Sequence, residues 1–138
     1  MPVKAEDFFE QAKELMALEQ NEINIRSCIS RCYYGMYHKV LSILDHEQIL
    51  YPNKGYHGSL IHYLQTDAAN DESLPFNSLK GLAYMLKQER DRRQVADYEL
   101  SDTPDLESAQ DSISTAERCL QRCDLLVQDN STSTGTNP

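Results

Sequence analysis

Arg26-Ser27-Cys28-Ile29-Ser30-Arg31-Cys32-Tyr33-Tyr34-Gly35-Met36-Tyr37-His38 is the stretch that decides the fold class. At about 100° per residue, Ile25, Ile29, Cys32, Met36 and Ile43 form one apolar stripe of a helix, with Ser27, Arg31, Tyr34 and His38 on the opposite side. The solvated side of a helix is ordinarily Glu, Lys and Gln. Arg, Tyr and His there point to two working faces, one for a core and one for something polar.

Outward from this helix, apolar residues keep helical spacing and no alternating strand pattern emerges. The reading is all-α: an up-and-down bundle of about five helices over residues 1–129, then a disordered Ser/Thr/Gly/Asn/Pro tail over 130–138. A first helix spans about 5–20, with Phe8, Ala12, Leu15 and Leu18 inward, and the second about 22–47. Tyr51-Pro52-Asn53-Lys54-Gly55 is turn chemistry, since Pro restricts the residue before it and Gly tolerates positive φ. Helices over about 58–69 and 76–99 follow, broken at Asn70-Asp71-Glu72-Ser73-Leu74-Pro75. Thr103 then reads as an N-cap before Pro104. Leu106, Ala109, Ile113, Ala116, Leu120, Cys123 and Val127 keep an unbroken 3-4 spacing, the seam of a helix packed along its neighbours.

With 138 residues, 40% of them hydrophobic, the chain suits one domain. It contains no long apolar run for a membrane span, and its first residues lack the features of a signal peptide, so the expectation is a cytoplasmic protein with no membrane partner. A net charge of −9 argues against indiscriminate nucleic-acid binding, which draws on Lys and Arg. A local site remains open, because Lys87-Gln88-Glu89-Arg90-Asp91-Arg92-Arg93 concentrates positive charge, although such a run also suits a solvated helix surface. The four cysteines form two i,i+4 pairs, Cys28/Cys32 and Cys119/Cys123. Buried free thiols are the preferred reading, with a tetrahedral zinc or two disulfides as alternatives.

The helix over 76–99 carries a second anomaly. Its inner stripe begins Leu79, Leu82, Leu86 and continues on the same face as Arg90, Arg93, Asp97. An Arg93–Asp97 pair on an exposed helix contributes only about 0.3–0.5 kcal/mol. That is too little to account for three ionic residues on a core face, which calls for a further partner.

These same residues carry a family resemblance. Ser30-Arg31-Cys32-Tyr33-Tyr34-Gly35-Met36-Tyr37-His38 resembles the Ser-Arg-Ala-Tyr-Tyr-Ala-Met-Phe-His signature of a prokaryotic HEPN subgroup, with Cys32 and Gly35 where Ala is usual. Arg93-Gln94-Val95-Ala96-Asp97-Tyr98 is similar to its later Arg-x-x-Ala-Asp-Tyr motif, and Tyr56-His57-Gly58 lies where the family commonly has a Thr-His-Lys-Gly-like turn. The resemblance covers about residues 8–125. It implies an all-α bundle, often dimeric. Many such domains are metal-independent ribonucleases with an Arg-x(4–6)-His motif, and many are toxins neutralised by a minimal nucleotidyltransferase partner. Others are inactive binding modules. The fit here, Arg31 to His38, lies on the second helix, whereas the better-characterised nucleases carry the motif on a late one.

On the nuclease reading, His38 is the base and Arg31 stabilises charge on the phosphorane, so both are candidate catalytic residues. Arg90 and Arg93 would hold flanking phosphates, Asp97 would orient an arginine or His38, and Tyr33, Tyr34, Tyr37 and Tyr98 would line the substrate site. No cofactor or metal is called for; RNA or a nucleotide is the expected ligand. A homodimer is expected as well, because the polar face would otherwise expose three tyrosines beside Arg31 and His38. On the competing reading, Arg31, Asp97 and Tyr98 form a buried network tying two helices together, and the protein is a binding module. A third possibility is a phosphate clamp of Arg31, Arg90 and Arg93 that performs no chemistry.

Overall fold

In a computed structural model, residues 2–135 are described. They form a helical bundle of α1 (Ala5–Leu18), α2 (Glu22–Ile43), α3 (Gly55–Gln65), α4 (Ala68–Asp71), α5 (Phe76–Tyr98) and α6 (Leu106–Gly135). The described residues contain no strand, and none of their helices is long and apolar enough to cross a membrane. Five of the helices are those expected; α4 is a single turn split from the end of the helix expected over 58–69. α6 continues through Gly135, into the segment that composition reads as a tail, and residues 136–138 of that segment lie outside the described residues.

α2 is the axis of the bundle, packed by α1, α5 and α6. Its apolar stripe is buried as the spacing requires, with Ile25, Ile29, Cys32, Met36 and Val40 in the core and Ile43 partly buried against it. Asn21 caps it by accepting from the Asn24 amide at 2.9 Å, satisfying one of the first-turn donors. The 3-4 seam of α6 is likewise inward through Ala109, Ala116, Leu120 and Cys123, but Val127 is exposed. All four cysteines are buried unbonded thiols. Cys32 and Cys119 are pushed up in pKa by the thiol one turn away and then by burial, so neither is a ready thiolate.

Three local expectations are corrected. In α1 the buried residues are Phe9 and Ala12, with Met16 partly buried against the core, whereas Phe8 is only half-buried and Leu18 is exposed. Phe8 and Phe9 sit about 100° apart, and the stripe through Ala12 and Met16 selects the second. α2 ends at Ile43 rather than near 47. The cap of α6 is Asp105, whose carboxylate accepts from the Ser108 amide at 2.9 Å, not Thr103. The turn at 51–55 forms as its residues dictate, with Asn53 and Gly55 both at positive φ.

The tie between the start of α2 and the end of α5 is Arg26, 5% exposed. Its guanidinium donates to the Val95 (3.3 Å), Ala96 (2.9 Å), Glu99 (3.4 Å), Leu100 (3.5 Å) and Asp102 carbonyls, and its Nε pairs with Glu22 at 3.2 Å. A helix leaves its last carbonyls without partners and its C-terminus partially negative, so a buried cation there satisfies both.

Candidate functional site

The polar face of α2 does not meet solvent alone: α1 covers one edge, the start of α3 another, and the last turns of α5 run alongside. Tyr34 is at its centre. Its ring lies 5.4 Å from the Arg31 guanidinium carbon and 5.7 Å from that of Arg93. Around the same ring are His57 at 5.7 Å, Tyr33 at 5.7 Å and Phe8 at 6.5 Å. Tyr33 is fully buried beneath it, and Tyr37 is buried with its hydroxyl donating to Gln48 at 2.8 Å.

Arg93 is 6% exposed yet incompletely paired. One terminal nitrogen reaches Asp97 at 3.5 Å, the other donates to the Gln94 side chain at 3.1 Å, and its buried Nε has no partner. It is held by rings instead, with Tyr33, Tyr34 and Tyr98 at 5.4, 5.7 and 5.6 Å. Asp97 also accepts from the Ser30 hydroxyl at 3.1 Å, which ties α5 to α2. Arg31 packs between Phe8 and Tyr34, and neither it nor Arg90 makes an ion pair or hydrogen bond among the described residues. Arg90 points at the start of α3: a methyl group added at Gly58 would lie 3.9 Å from one of its terminal nitrogens.

The residue that sequence reasoning left out of the site is His57. Its ring sits tilted or edge-on in the wedge of Tyr33, Tyr34 and Tyr37, 4.5 Å from the last, and its Nδ1 is 2.8 Å from the Tyr33 hydroxyl. Burial, then the charges of Arg93 and Arg90, and last His38, hold its pKa below the ordinary histidine value. The signal for it was Tyr56-His57-Gly58 itself, a histidine on a turn between two glycines. His38 is exposed, stacked on Phe8 at 5.1 Å and edge-on to Tyr37 at 5.2 Å, with its pKa lowered by partial burial. A depression of about 510 Å³ opens beside it, lined by Val3, Ala5, Glu6, Phe8 and Ser42 among others.

The structure thus gathers Arg31, Tyr33, Tyr34, Tyr37, His38, Arg90, Arg93, Asp97 and Tyr98 around one face, and adds His57, Phe8 and Ser30. It separates some expected roles. Arg31 and His38 both touch Phe8 and make no hydrogen bond to each other among the described residues. Tyr33 and Tyr37 are buried, which leaves half-buried Tyr34 and exposed Tyr98 as surfaces for a stacked base. That burial also removes the argument for a dimer built on three exposed tyrosines. The network of Arg31, Asp97 and Tyr98 is not the buried tie between α2 and α5; Arg26 on the α5 carbonyls, Ser30 on Asp97 and Arg93 on the Tyr33 and Tyr34 rings serve there.

A second hollow, of about 250 Å³ between α5 and α6 around Ser78, Gly81, Arg122 and Leu126, is lined by one arginine and one carboxylate, Asp129, and by no histidine or aromatic ring. Searches against family models, curated proteins and solved structures each returned no match.

Proposed function

We propose that the Tyr34-centred face binds a phosphodiester of single-stranded RNA, and that the protein is a HEPN-type, metal-independent endoribonuclease acting as a toxin or regulatory subunit. The observation that carries this reading is the set of under-neutralised arginines. In a chain of net charge −9, Arg31 and Arg90 have no acidic partner among the described residues, and Arg93 has one at 3.5 Å and an orphaned buried Nε. Carboxylates are plentiful, so three arginines around one aromatic wedge with a single distant carboxylate among them leave room for an anion supplied from outside.

The chemistry suited to these groups is in-line attack of a ribose 2′-oxygen on the adjacent phosphorus. His38, kept neutral by its lowered pKa, takes the 2′-hydroxyl proton. The new bond closes a 2′,3′-cyclic phosphate, and the 5′-oxygen leaves with a proton from solvent. Arg31 and Arg93 donate to the phosphorane oxygens as charge accumulates. Tyr34 and Tyr98 offer ring faces to flanking bases.

The test is incubation of purified protein with single-stranded RNAs in EDTA. Expected are 2′,3′-cyclic phosphate ends, lost in His38→Ala and in Arg31→Ala. One observation favours a second reading: Arg31 and His38 each pack on Phe8 and share no hydrogen bond among the described residues, which suits a binding module that holds a nucleotide or RNA without cleaving it. RNA bound but left intact by the wild type would select that reading. RNA neither bound nor cleaved would overturn both.

A further inference from the structure

His57 and the hydroxyl of Tyr33 are 2.8 Å apart, and which of them donates decides what His57 can do. The Tyr33 side chain is fully buried, and Nδ1 of His57 is the one hydrogen-bond partner of its hydroxyl among the described residues. If Nδ1–H donated to the phenol oxygen, the phenol's own proton would be buried with no acceptor, a loss of about 1–3 kcal/mol. If the phenol donates, both groups are satisfied. The phenol also keeps its proton, since burial raises its pKa far beyond the neutral range. A neutral imidazole whose Nδ1 accepts must carry its hydrogen on Nε2. That nitrogen has no partner among the described residues and is not sealed from solvent, and it belongs to a ring beside Arg90 and Arg93.

We propose that Tyr33 fixes His57 as its Nε2–H tautomer, so that His57 is a hydrogen-bond donor to the anionic ligand alongside Arg90 and Arg93, and not a proton-abstracting base. The assignment of the donor role rests on the phosphodiester site proposed above; the tautomer does not. Protonating His57 would reverse the Tyr33 contact and strand the phenol proton, a penalty that adds to the repulsion from the two arginines. The ring is thereby held neutral with one polar edge committed and the other offered. Tyr33 is a positioning residue in this arrangement, acting on the ligand only through His57. The division of labour also explains why two histidines border one site. His38, exposed and with no hydrogen bond fixing its tautomer among the described residues, is free to accept a proton, and His57 is not.

Nitrogen-15 NMR of histidine-labelled protein above pH 7 tests the tautomer, with the His57 signals identified by their disappearance in His57→Gln. Expected is a pyrrole-like Nε2 and a pyridine-like Nδ1 in the wild type, with a shift toward a tautomer mixture in Tyr33→Phe. The reverse pattern in the wild type overturns the proposal whatever the protein binds, and does not depend on Tyr33→Phe folding. The donor role is tested by affinity for a 2′-O-methyl oligoribonucleotide, which cannot be cleaved. A glutamine amide nitrogen falls near the place of Nε2. His57→Gln should therefore keep most of the affinity while His57→Ala loses about tenfold or more. Equal loss in both variants would overturn the donor role. If the wild type binds neither the oligonucleotide nor inorganic phosphate, the site reading fails together with the donor role, and the NMR result alone then judges the tautomer.

Discussion

Arg26 and Arg93 are buried to nearly the same extent, at 5% and 6% exposed, and they face each other's helices across the α2–α5 contact. Their surroundings differ completely. Arg26 has carbonyl oxygens from five residues and a carboxylate, so its donors are consumed by the fold. Arg93 has aromatic faces, one distant carboxylate and a side-chain amide, and an Nε with nothing. Equal burial therefore does not mean equal purpose. A buried cation whose hydrogen bonds close within the chain stabilises the chain. One whose bonds remain open is stabilised by its surroundings only in part, and the open part is what a ligand can use.

The largest expected effect lies on the Arg26 side. Arg26→Ala would strip the end of α5 of its cap and leave partly buried carbonyls unsatisfied, a loss of about 3 kcal/mol or more in urea unfolding. Arg93→Ala removes a weak i,i+4 pair and ring contacts, for a loss of about 1–2 kcal/mol, but should lower affinity for an oligoribonucleotide by about ten- to a hundredfold. The comparison breaks if Arg93→Ala proves as destabilising as Arg26→Ala, or if it leaves binding unchanged.

The pH dependence sharpens the same contrast, because Arg93 sits beside His57. His57 and His38 both have folded pKa values below the unfolded value of 6.5. Below that value the unfolded chain binds more protons at these positions, so stability is lost as pH falls from 6.5 through the lowered values. Above 6.5 both states are deprotonated there and the histidines contribute no slope. His57→Gln should flatten thermal stability between pH 6.5 and 5 relative to the wild type, and an unchanged slope would count against the burial of His57 among charges.

What the sequence made legible follows from periodicity. The two faces of α2, the seam of α6 and the Arg93–Asp97 pair are all local patterns at three- and four-residue spacing, and the structure contains each. Arg26 was not legible, because its partners are backbone carbonyls 69 to 76 residues away and a carbonyl has no residue identity to recognise. His57 meets Tyr33 across 24 residues through a turn, where helical spacing gives no guidance. Phe8 and Phe9 are chemically identical neighbours, and only the completed packing of α1 on α2 decides which enters the core and which reaches the site. The candidate residues of α2 and α5 could be grouped because each helix carries them on one stripe; their arrangement depends on α1 and α3, whose contributions are tertiary.

Glu89 adds a buried charge of the opposite sign. It is fully buried, paired with Arg92 at 2.7 Å, and its Oε2 has no partner in hydrogen-bonding geometry, the nearby Ser112 hydroxyl included. Burial raises its pKa, so the folded state holds a proton that the unfolded chain releases, and its contribution to stability declines as pH rises above the unfolded value of 4.5. Unlike Arg93 it lies among thiols in the core rather than beside a site, as the reach of its charge to Cys28, Cys32 and Cys119 indicates. Glu89→Met should therefore be neutral or stabilising by about 1 kcal/mol at pH 7, and less so at pH 4.5. A strong loss at pH 7 would mean that the carboxylate is satisfied after all.

The smallest stability change is expected at Arg31, and it separates the two readings of the α2 face. A structural arginine there would need partners, and Arg31 has ring faces but no ion pair or hydrogen bond among the described residues. Two partly solvated cation–π contacts contribute about 0.5 kcal/mol each, and the half-exposed stem loses little packing. Arg31→Ala should accordingly lower the unfolding free energy by about 1 kcal/mol or less while lowering RNA affinity or cleavage by at least tenfold. A loss of several kcal/mol would move Arg31 to the Arg26 side of the comparison and leave Arg90 and Arg93 as the arginines of this face open to a ligand. A small loss with binding intact would confine the anion site to α3 and α5, and Arg31 with Phe8 would then mark its boundary.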